Sequence, residues 1–310
     1  MRAVGPKSIL STYSQLPSVS AVMKKLILLI CLGAAFVAAP TDAGSFSFST
    51  GSPDGRMATG SRTGSPGKIE IESADDFIVP SAGVHLTNAT FTGLIPTGVS
   101  LSDITQVQIE IYRVFPNDSD VGRTSGPPTF STTQVPTRVN SPSDVVFDTR
   151  NSLSGGGLNF TPGFINPSFT ALNSILNGIH PMPNQTTGGD GPVTSQEVQF
   201  NVNFTHQFFL PAGHYFFVPQ VDLSSGDFLW LSTAAPPLFT GDLQAWIRNS
   251  DLDPDWLRQG TDIVGGGLSA PKFNESFSLD GTLPDSGSTF VLFTCAAAIL
   301  FSLKRRFRAT

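Results

Sequence analysis

The sequence predicts an all-β protein, on three observations. Aromatic and β-branched residues dominate its body, with 25 Phe in 310 residues. Several stretches alternate apolar and polar residues with a period of two, the spacing that turns one face of a strand to a core. Gly and Pro, 30 and 24 in number, break the chain at short intervals together with Asn, Asp and Ser, so strands stay short and turns frequent.

Taken in order, residues 44–67 are rich in Ser and Gly and read as a loose lead-in or an edge strand. Strands are expected near 68–72, 76–79, 84–93 and 104–115. In the last, Val107, Ile109 and Ile111 share one face, opposite Gln106, Gln108, Glu110 and Tyr112, as in a half-buried strand. The clearest hairpin is expected over Glu197–Leu223. There Val198, Phe200, Val202 and Phe204 alternate with polar residues, Pro211-Ala212-Gly213 supplies a turn, and His214 to Val218 return. Pro219 cannot donate to a ladder, which places the return strand at an edge or a bulge. Further strands are expected over 227–232 and 272–279, with Phe273, Phe277 and Leu279 in the core.

Two stretches have helical character. Phe169, Leu172, Ile175, Leu176 and Ile179 fall at helical spacing, with Asn166 as a cap, Pro167 in the first turn and Gly178 at the end. A shorter turn of helix is expected over 242–247. The stretches 122–143 and 181–192 read as long loops, where binding residues concentrate.

The two ends differ from the body. Met23-Lys24-Lys25, an apolar stretch from Leu26 to Ala39, and Pro40-Thr41-Asp42-Ala43 make a charged, an apolar and a small-residue region in the order of a secretory signal peptide. Met23 is the expected start and cleavage is expected after Ala43; an uncut N-terminal anchor is the alternative. At the other end Leu283-Pro284-Asp285-Ser286-Gly287 precedes 16 uncharged residues, Ser288–Leu303, and then Lys304, Arg305, Arg306 and Arg308. A spanning helix needs roughly 17–25 apolar residues. Phe307 and the stems of Lys304 and Arg305 extend this one. The cations mark the cytoplasmic side, so everything before the span is expected outside.

The order of motif, span and basic stop resembles a PEP-CTERM-type sorting signal, in its VPDSG-CTERM variant. Pro284-Asp285-Ser286-Gly287-Ser288-Thr289 matches the core, with Leu283 in place of Val. Chains with this tail resemble substrates of exosortases, membrane enzymes of Gram-negative bacteria. The resemblance implies export, an inner-membrane intermediate, processing by an exosortase-like enzyme, and delivery to the cell surface or the extracellular matrix. Leu283–Gly287 departs from the LPxTG pattern of sortase substrates only by Ser for Thr. The Ser-Thr that follows and the short span rich in small residues favour the exosortase type.

Three organising segments follow: an N-terminal extension with signal peptide (1–43), an ectodomain (44–282) and a sorting tail (283–310). Between Gly44 and Gly287 there are 10 Lys and Arg against 23 Asp and Glu, a net charge of −13 that the whole-chain value of −6 conceals. So acidic a domain disfavours nucleic acid and anionic surfaces as partners. Cys31 and Cys295, the only cysteines, both lie in the apolar ends. The ectodomain is therefore held without disulfides, and it has neither a thiolate metal site nor a cysteine nucleophile.

Three strings, Ser73-Ala74-Asp75-Asp76-Phe77, Leu210-Pro211-Ala212-Gly213-His214-Tyr215 and Phe277-Ser278-Leu279-Asp280-Gly281, resemble in that order the signposts of jelly-roll β-sandwich modules found among exported bacterial proteins with such tails. The resemblance implies one jelly-roll-like β-sandwich with one or two short helices, and assigns no functional residue.

The search for chemistry finds no G-x-S-x-G, H-E-x-x-H or P-loop motif. No catalytic residue is assigned. His206 and His214 flank the Pro211 turn, at a spacing unsuited to a shared metal. Asp251, Asp253, Asp255 and Asp262 echo the spacing of a Ca²⁺ loop. Trp256 stands where that loop needs Gly, so an acidic surface loop with Trp256 and Leu257 turned inward is the favoured reading. The expected function is a structural or binding protein of the cell surface or matrix. The alternative is a carbohydrate-binding module or weak glycan hydrolase, with extracellular polysaccharide as partner.

Overall fold

Val107, Ile109 and Ile111 are each fully buried, as their alternation requires. They lie on β5 (Ile104–Arg113), one strand of a six-stranded sheet. The structure, a computed structural model, describes residues 44–121, 139–179, 186–234, 237–266 and 269–284. The strand order of this sheet is β13 (Leu257–Arg258), β12 (Trp246–Asn249), β3 (Ile71–Val79), β10 (Gly213–Leu223), β5 and β6 (Asp148–Asn151). A second, eight-stranded sheet runs β1 (Ser45–Ser49), β14 (Phe277–Thr282), β4 (Val84–Ile95), β11 (Leu229–Leu231), β2 (Ala58–Gly60) and β8 (Ser174–Ile175). In it β9 (Val193–Leu210) also pairs with β4, and β7 (Leu158–Ala171) with β9. Pairing is antiparallel except between β2 and β8. The fold class is all-β.

The inner faces of the two sheets share one apolar core. Phe91 of β4 lies flat on Phe200 of β9 at 4.8 Å between ring centres. Phe217 of β10 stacks on Phe277 of β14 at 5.0 Å, across the gap between the sheets. Trp230 packs edge-on against both members of that cross-sheet pair. Burial of such rings is the principal stabilising term in a domain without disulfides, at about 25 cal/mol per Å² of apolar surface.

Four local expectations are corrected. Residues 169–179 form no helix: Phe169 to Ala171 continue β7 and pair with Val193–Ser195 of β9. The apolar residues at helical spacing part company. Leu172 is 69% exposed, while Ile175 and Ile179 enter a separate core cluster. Asn166 accepts from the Ser168 backbone N–H at 3.0 Å, within a bulged stretch of β7 instead of at a helix cap. The neighbouring strand offered the backbone its partners, and a short apolar window does not distinguish the two outcomes.

Residues 242–247 are likewise not helical. Asp242 accepts from the backbone N–H groups of Leu238 and Gln244, and Gln244 has φ 68°. That left-handed residue stops a helix, and Trp246 to Asn249 pair with β3 instead.

The expected hairpin is not one. Its two strands form, but β9 belongs to the eight-stranded sheet and β10 to the six-stranded one. Pro211-Ala212-Gly213 is a corner that carries the chain from one sheet to the other. The Tyr215 hydroxyl donates to the Pro211 carbonyl at 2.9 Å and holds it. Both strands have a continuous apolar face, and a corner lets both faces meet one core.

Pro219 lies in an interior strand. Pairing with β3 ends at Phe217, whereas pairing with β5 runs past Pro219. The Pro219 carbonyl accepts from Ser61 Oγ at 2.6 Å, and Val221 N–H donates to Ser61 O at 3.0 Å. Carbonyl and nitrogen of one strand residue point the same way. The missing N–H therefore faces Ser61 and removes no bond to β5.

The expected signal peptide, the span with its basic stop, residues 122–138 of the first long loop and 181–185 of the second lie outside the described residues. Among the described residues no helix is long and apolar enough to cross a membrane. Phe217→Ala should lower stability by about 3–5 kcal/mol, because it leaves a cavity between the sheets. Phe209→Ala, at a ring that is 51% exposed, should cost far less. Urea unfolding of the two variants checks this.

Candidate functional site

Asp75 and Asp76 are adjacent on β3, so their side chains leave by opposite faces of the sheet. β3 is buried on both faces, and both carboxylates are 1% exposed. Two of the three strings singled out in the sequence meet here. Asp76 Oδ2 lies 2.5 Å from His214 Nε2 on the neighbouring β10, and its Oδ1 accepts from the Leu243 N–H at 2.9 Å. Burial raises the Asp76 pKa, and the His214 contact opposes the rise. Asp75 Oδ2 accepts from the Glu275 N–H at 2.8 Å, two residues before β14. Burial and the adjacent Asp76 push Asp75 well above the usual carboxylate range. Glu275 is fully buried and is pushed up to about 8 by that burial.

The outer face of the six-stranded sheet carries a second polar group. Alternation turns Glu110 and Tyr112 of β5 to that face, where the segments 143–147 and 250–256 cover them and both are buried. Tyr112 Oη is 2.6 Å from Glu72 Oε1, 2.9 Å from Glu110 Oε2 and 2.8 Å from Arg248 Nη2. Arg248 also bonds Glu72 through Nε and Asp253 through Nη1 at 2.7 Å, and its guanidinium lies 4.4 Å from the centre of the Trp256 ring. One phenolic proton cannot serve two carboxyl oxygens. The second proton sits on Glu110, which burial, followed by the charge of Glu72, pushes up to about 8. Beyond it Gln108 Nε2 donates to Glu110 Oε1 at 3.0 Å, and Gln220 Nε2 donates to Glu70 Oε1 at 2.8 Å, a polar row that reaches the surface at Glu70 and Gln108.

The outer face of the eight-stranded sheet has a cleft of about 390 Å³. Ser49, Thr90, Thr92, Gln199 and Ser278 give it hydroxyl and amide groups, and Pro53 and Ile165 form apolar lips. Glu197 lies in its wall, 6% exposed, its carboxylate raised by burial. Among the described residues that carboxylate has no hydrogen-bond partner.

The sequence-predicted acids of the Ca²⁺-like loop are dispersed among other roles. Asp253 pairs with Arg248, Asp255 is buried, Asp251 is exposed, and Asp262 accepts from the Arg258 N–H at 2.7 Å. Trp256 and Leu257 do turn inward. Among the described residues no three His, Cys, Asp or Glu side chains stand in a metal-holding group. His206 and His214 fall in different sheets.

Of the sorting motif, Leu283 packs against the main core, and its N–H donates to Gly44 O at 2.7 Å. β1 and β14 pair from Ser45↔Thr282 to Ser49↔Ser278, so the ectodomain ends are zipped together where the tail begins. Asp285, Ser286, Gly287, Lys304, Arg305, Arg306 and Arg308 lie outside the described residues. Residues 284–307 match the family model of the VPDSG-CTERM motif. The chain carries a PEP-CTERM-like C-terminal sorting signal. The signal points to export toward the cell surface, and signals of this type are generally processed by exosortase-like enzymes. No other family model matches the ectodomain, and no curated protein or solved structure matches the chain.

Arg248→Met should destabilise by about 3–5 kcal/mol, because it strands the buried Glu72 beside Tyr112. Chemical unfolding at neutral pH measures it. Glu110 has a folded pKa above its unfolded value of 4.5, so the folded state keeps a proton that the unfolded chain releases. Its stabilising effect is complete below about pH 4.5 and is lost as pH rises through about 8. The urea midpoint should therefore fall between pH 5 and pH 9, and Glu110→Gln should flatten that fall.

Proposed function

We propose that the protein is an exported structural or binding protein of the cell surface or extracellular matrix, delivered and processed through its C-terminal tail. The single observation that carries this reading is the match of residues 284–307 to the VPDSG-CTERM motif. On this reading residues 1–43 hold a cleaved signal peptide, and Ser288–Leu303 span the inner membrane with Lys304, Arg305, Arg306 and Arg308 left in the cytoplasm. An exosortase-like enzyme then acts near Pro284–Gly287. The position of the motif supports the proposal. The last strand ends at Thr282 and pairs with the first, so a cut a few residues later leaves every ladder bond of the domain intact. Jelly-roll connectivity belongs to the same proposal, supported by two antiparallel-rich sheets around one core.

The second reading, a carbohydrate-binding module, is favoured by the cleft at Glu197. Hydroxyl, amide and carboxylate groups beside small apolar lips match the hydroxyls and C–H faces of a sugar ring. Any hydrolytic role would need a second carboxyl group, and among the described residues Glu197 is the one acid lining the cleft. Intact-mass measurement of the surface fraction tests the first reading. A chain that ends within 283–290 is expected, together with release of a variant truncated after Leu283 into the medium. An uncut chain in the cytosol refutes it. Glycan-array binding lost in Glu197→Gln would establish the second reading, and a blank array would end it.

A further inference from the structure

Among the described residues four buried side-chain oxygens make no hydrogen bond: Asp75 Oδ1, Gln259 Oε1, Asn274 Oδ1 and Glu275 Oε2. Their residues are tied to one another. The Glu275 N–H donates to Asp75 Oδ2 at 2.8 Å, Gln259 Nε2 donates to Glu275 Oε1 at 2.7 Å, and Asn274 precedes Glu275 in the chain. They come from three segments: β3, the π-helical turn Gln259–Val264, and the two positions ahead of Ser276. A buried acceptor left without a donor costs about 1–3 kcal/mol, more when charged. Native structures rarely leave several such atoms on linked residues without something to satisfy them.

The bonds that are made indicate what that is. Asp75 takes a backbone N–H, and Glu275 Oε1 takes both Gln259 Nε2 and the Thr59 hydroxyl, the latter at 3.0 Å. Three donors aimed at two carboxyl groups favour the ionised forms and oppose the rise that burial imposes. The charges that act on Asp75, those of Asp76, Glu275 and Asp242, and the charge of Asp54 that acts on Glu275 are all negative. Ionised, the two acids would need a positive charge in that negative field, and the four oxygens without a donor are hard ligands.

We propose that Asp75 and Glu275, with the side-chain carbonyls of Gln259 and Asn274, hold a divalent cation of the Ca²⁺ class inside the sandwich. Two carboxylates and two amide carbonyls form an oxygen set of the kind Ca²⁺ accepts, and its flexible coordination suits ligands from separate segments. Mg²⁺ demands stricter octahedral geometry and retains water, and the absence of nitrogen or sulfur from the set disfavours zinc and copper. The site uses none of the carboxylates of the acidic loop, of which Asp253 bonds Arg248 and Asp262 the Arg258 N–H. It also accounts for two acids that spacing alone never pairs, since they stand 200 residues apart.

The competing arrangement satisfies the same atoms with protons, both acids being neutral and each donating to an amide carbonyl. Metal content and thermal unfolding of the full chain, purified in detergent without chelator, separate the two. The proposal expects one Ca²⁺ per chain and a melting temperature roughly 5 °C higher in millimolar Ca²⁺ than in EDTA at pH 7. Tb³⁺ should bind, emit on excitation of Trp246, whose carbonyl lies 3.5 Å from Gln259 Nε2, and be displaced by Ca²⁺. Glu275→Gln should abolish the Ca²⁺ response, and Asp251→Asn should leave it unchanged. Should Glu275→Gln not fold, Asn274→Ala, which keeps both acids, should weaken Ca²⁺ binding about tenfold. Equal melting temperatures in Ca²⁺ and EDTA, with no metal bound, overturn the proposal. So does a Ca²⁺ response that disappears only in Asp251→Asn.

Discussion

The strand Ile71–Val79 is buried on both faces, and the architecture depends on that constraint. Its inner face joins the apolar core, while its outer face lies beneath a second, smaller cluster around Trp246 and Trp256. Any charge on such a strand is inside the protein whichever way it points. Glu72, Asp75 and Asp76 therefore each require partners, and the partners come from distant parts of the chain. Arg248 arrives from β12, His214 from β10, and the Glu275 backbone from the run into β14. A strand that costs this much to bury is held in one register only, because a slip of one residue would exchange Asp75 with Asp76 and unmake all three contacts.

The domain has no covalent cross-link, since both cysteines lie beyond it. What replaces a disulfide is aromatic packing across the gap between the sheets, with Phe217, Phe277 and Trp230 at its centre. The polar networks do a different job. Buried ion pairs are poor sources of net stability, yet they penalise every alternative packing that would leave one member unpaired. The ladder between β1 and β14 closes the domain at its two ends, so the fold is complete before the sorting motif begins.

That separation fits the division of labour between tail and domain. The tail is a linear signal, read residue by residue by another molecule, and its information survives without any fold. The domain offers surfaces assembled from segments far apart in sequence. The cleft at Glu197 brings together β1, β4, β9, β7 and the run into β14.

The sequence by itself determined the all-β class, the inward set of β5, the burial of Phe273, Phe277 and Leu279, and the sorting signal. Each is legible because it is local: a period of two, a run of turn residues, or a motif in fixed order. It left undecided the helix expected at Phe169–Ile179, because apolar residues at helical spacing also serve a bulged strand followed by a loop. It could not separate a hairpin from a corner at Pro211, because the turn looks the same whether the strands pair with each other or part to different sheets. Nor could it identify Glu110 and Tyr112 as interior, since a polar face is buried only when another segment covers it. The neighbours of Asp75 were beyond its reach for the same reason. Local steric preference writes the strands, whereas pairing between strands and the placing of buried charge are settled by residues hundreds of positions away, which only the tertiary structure brings into contact.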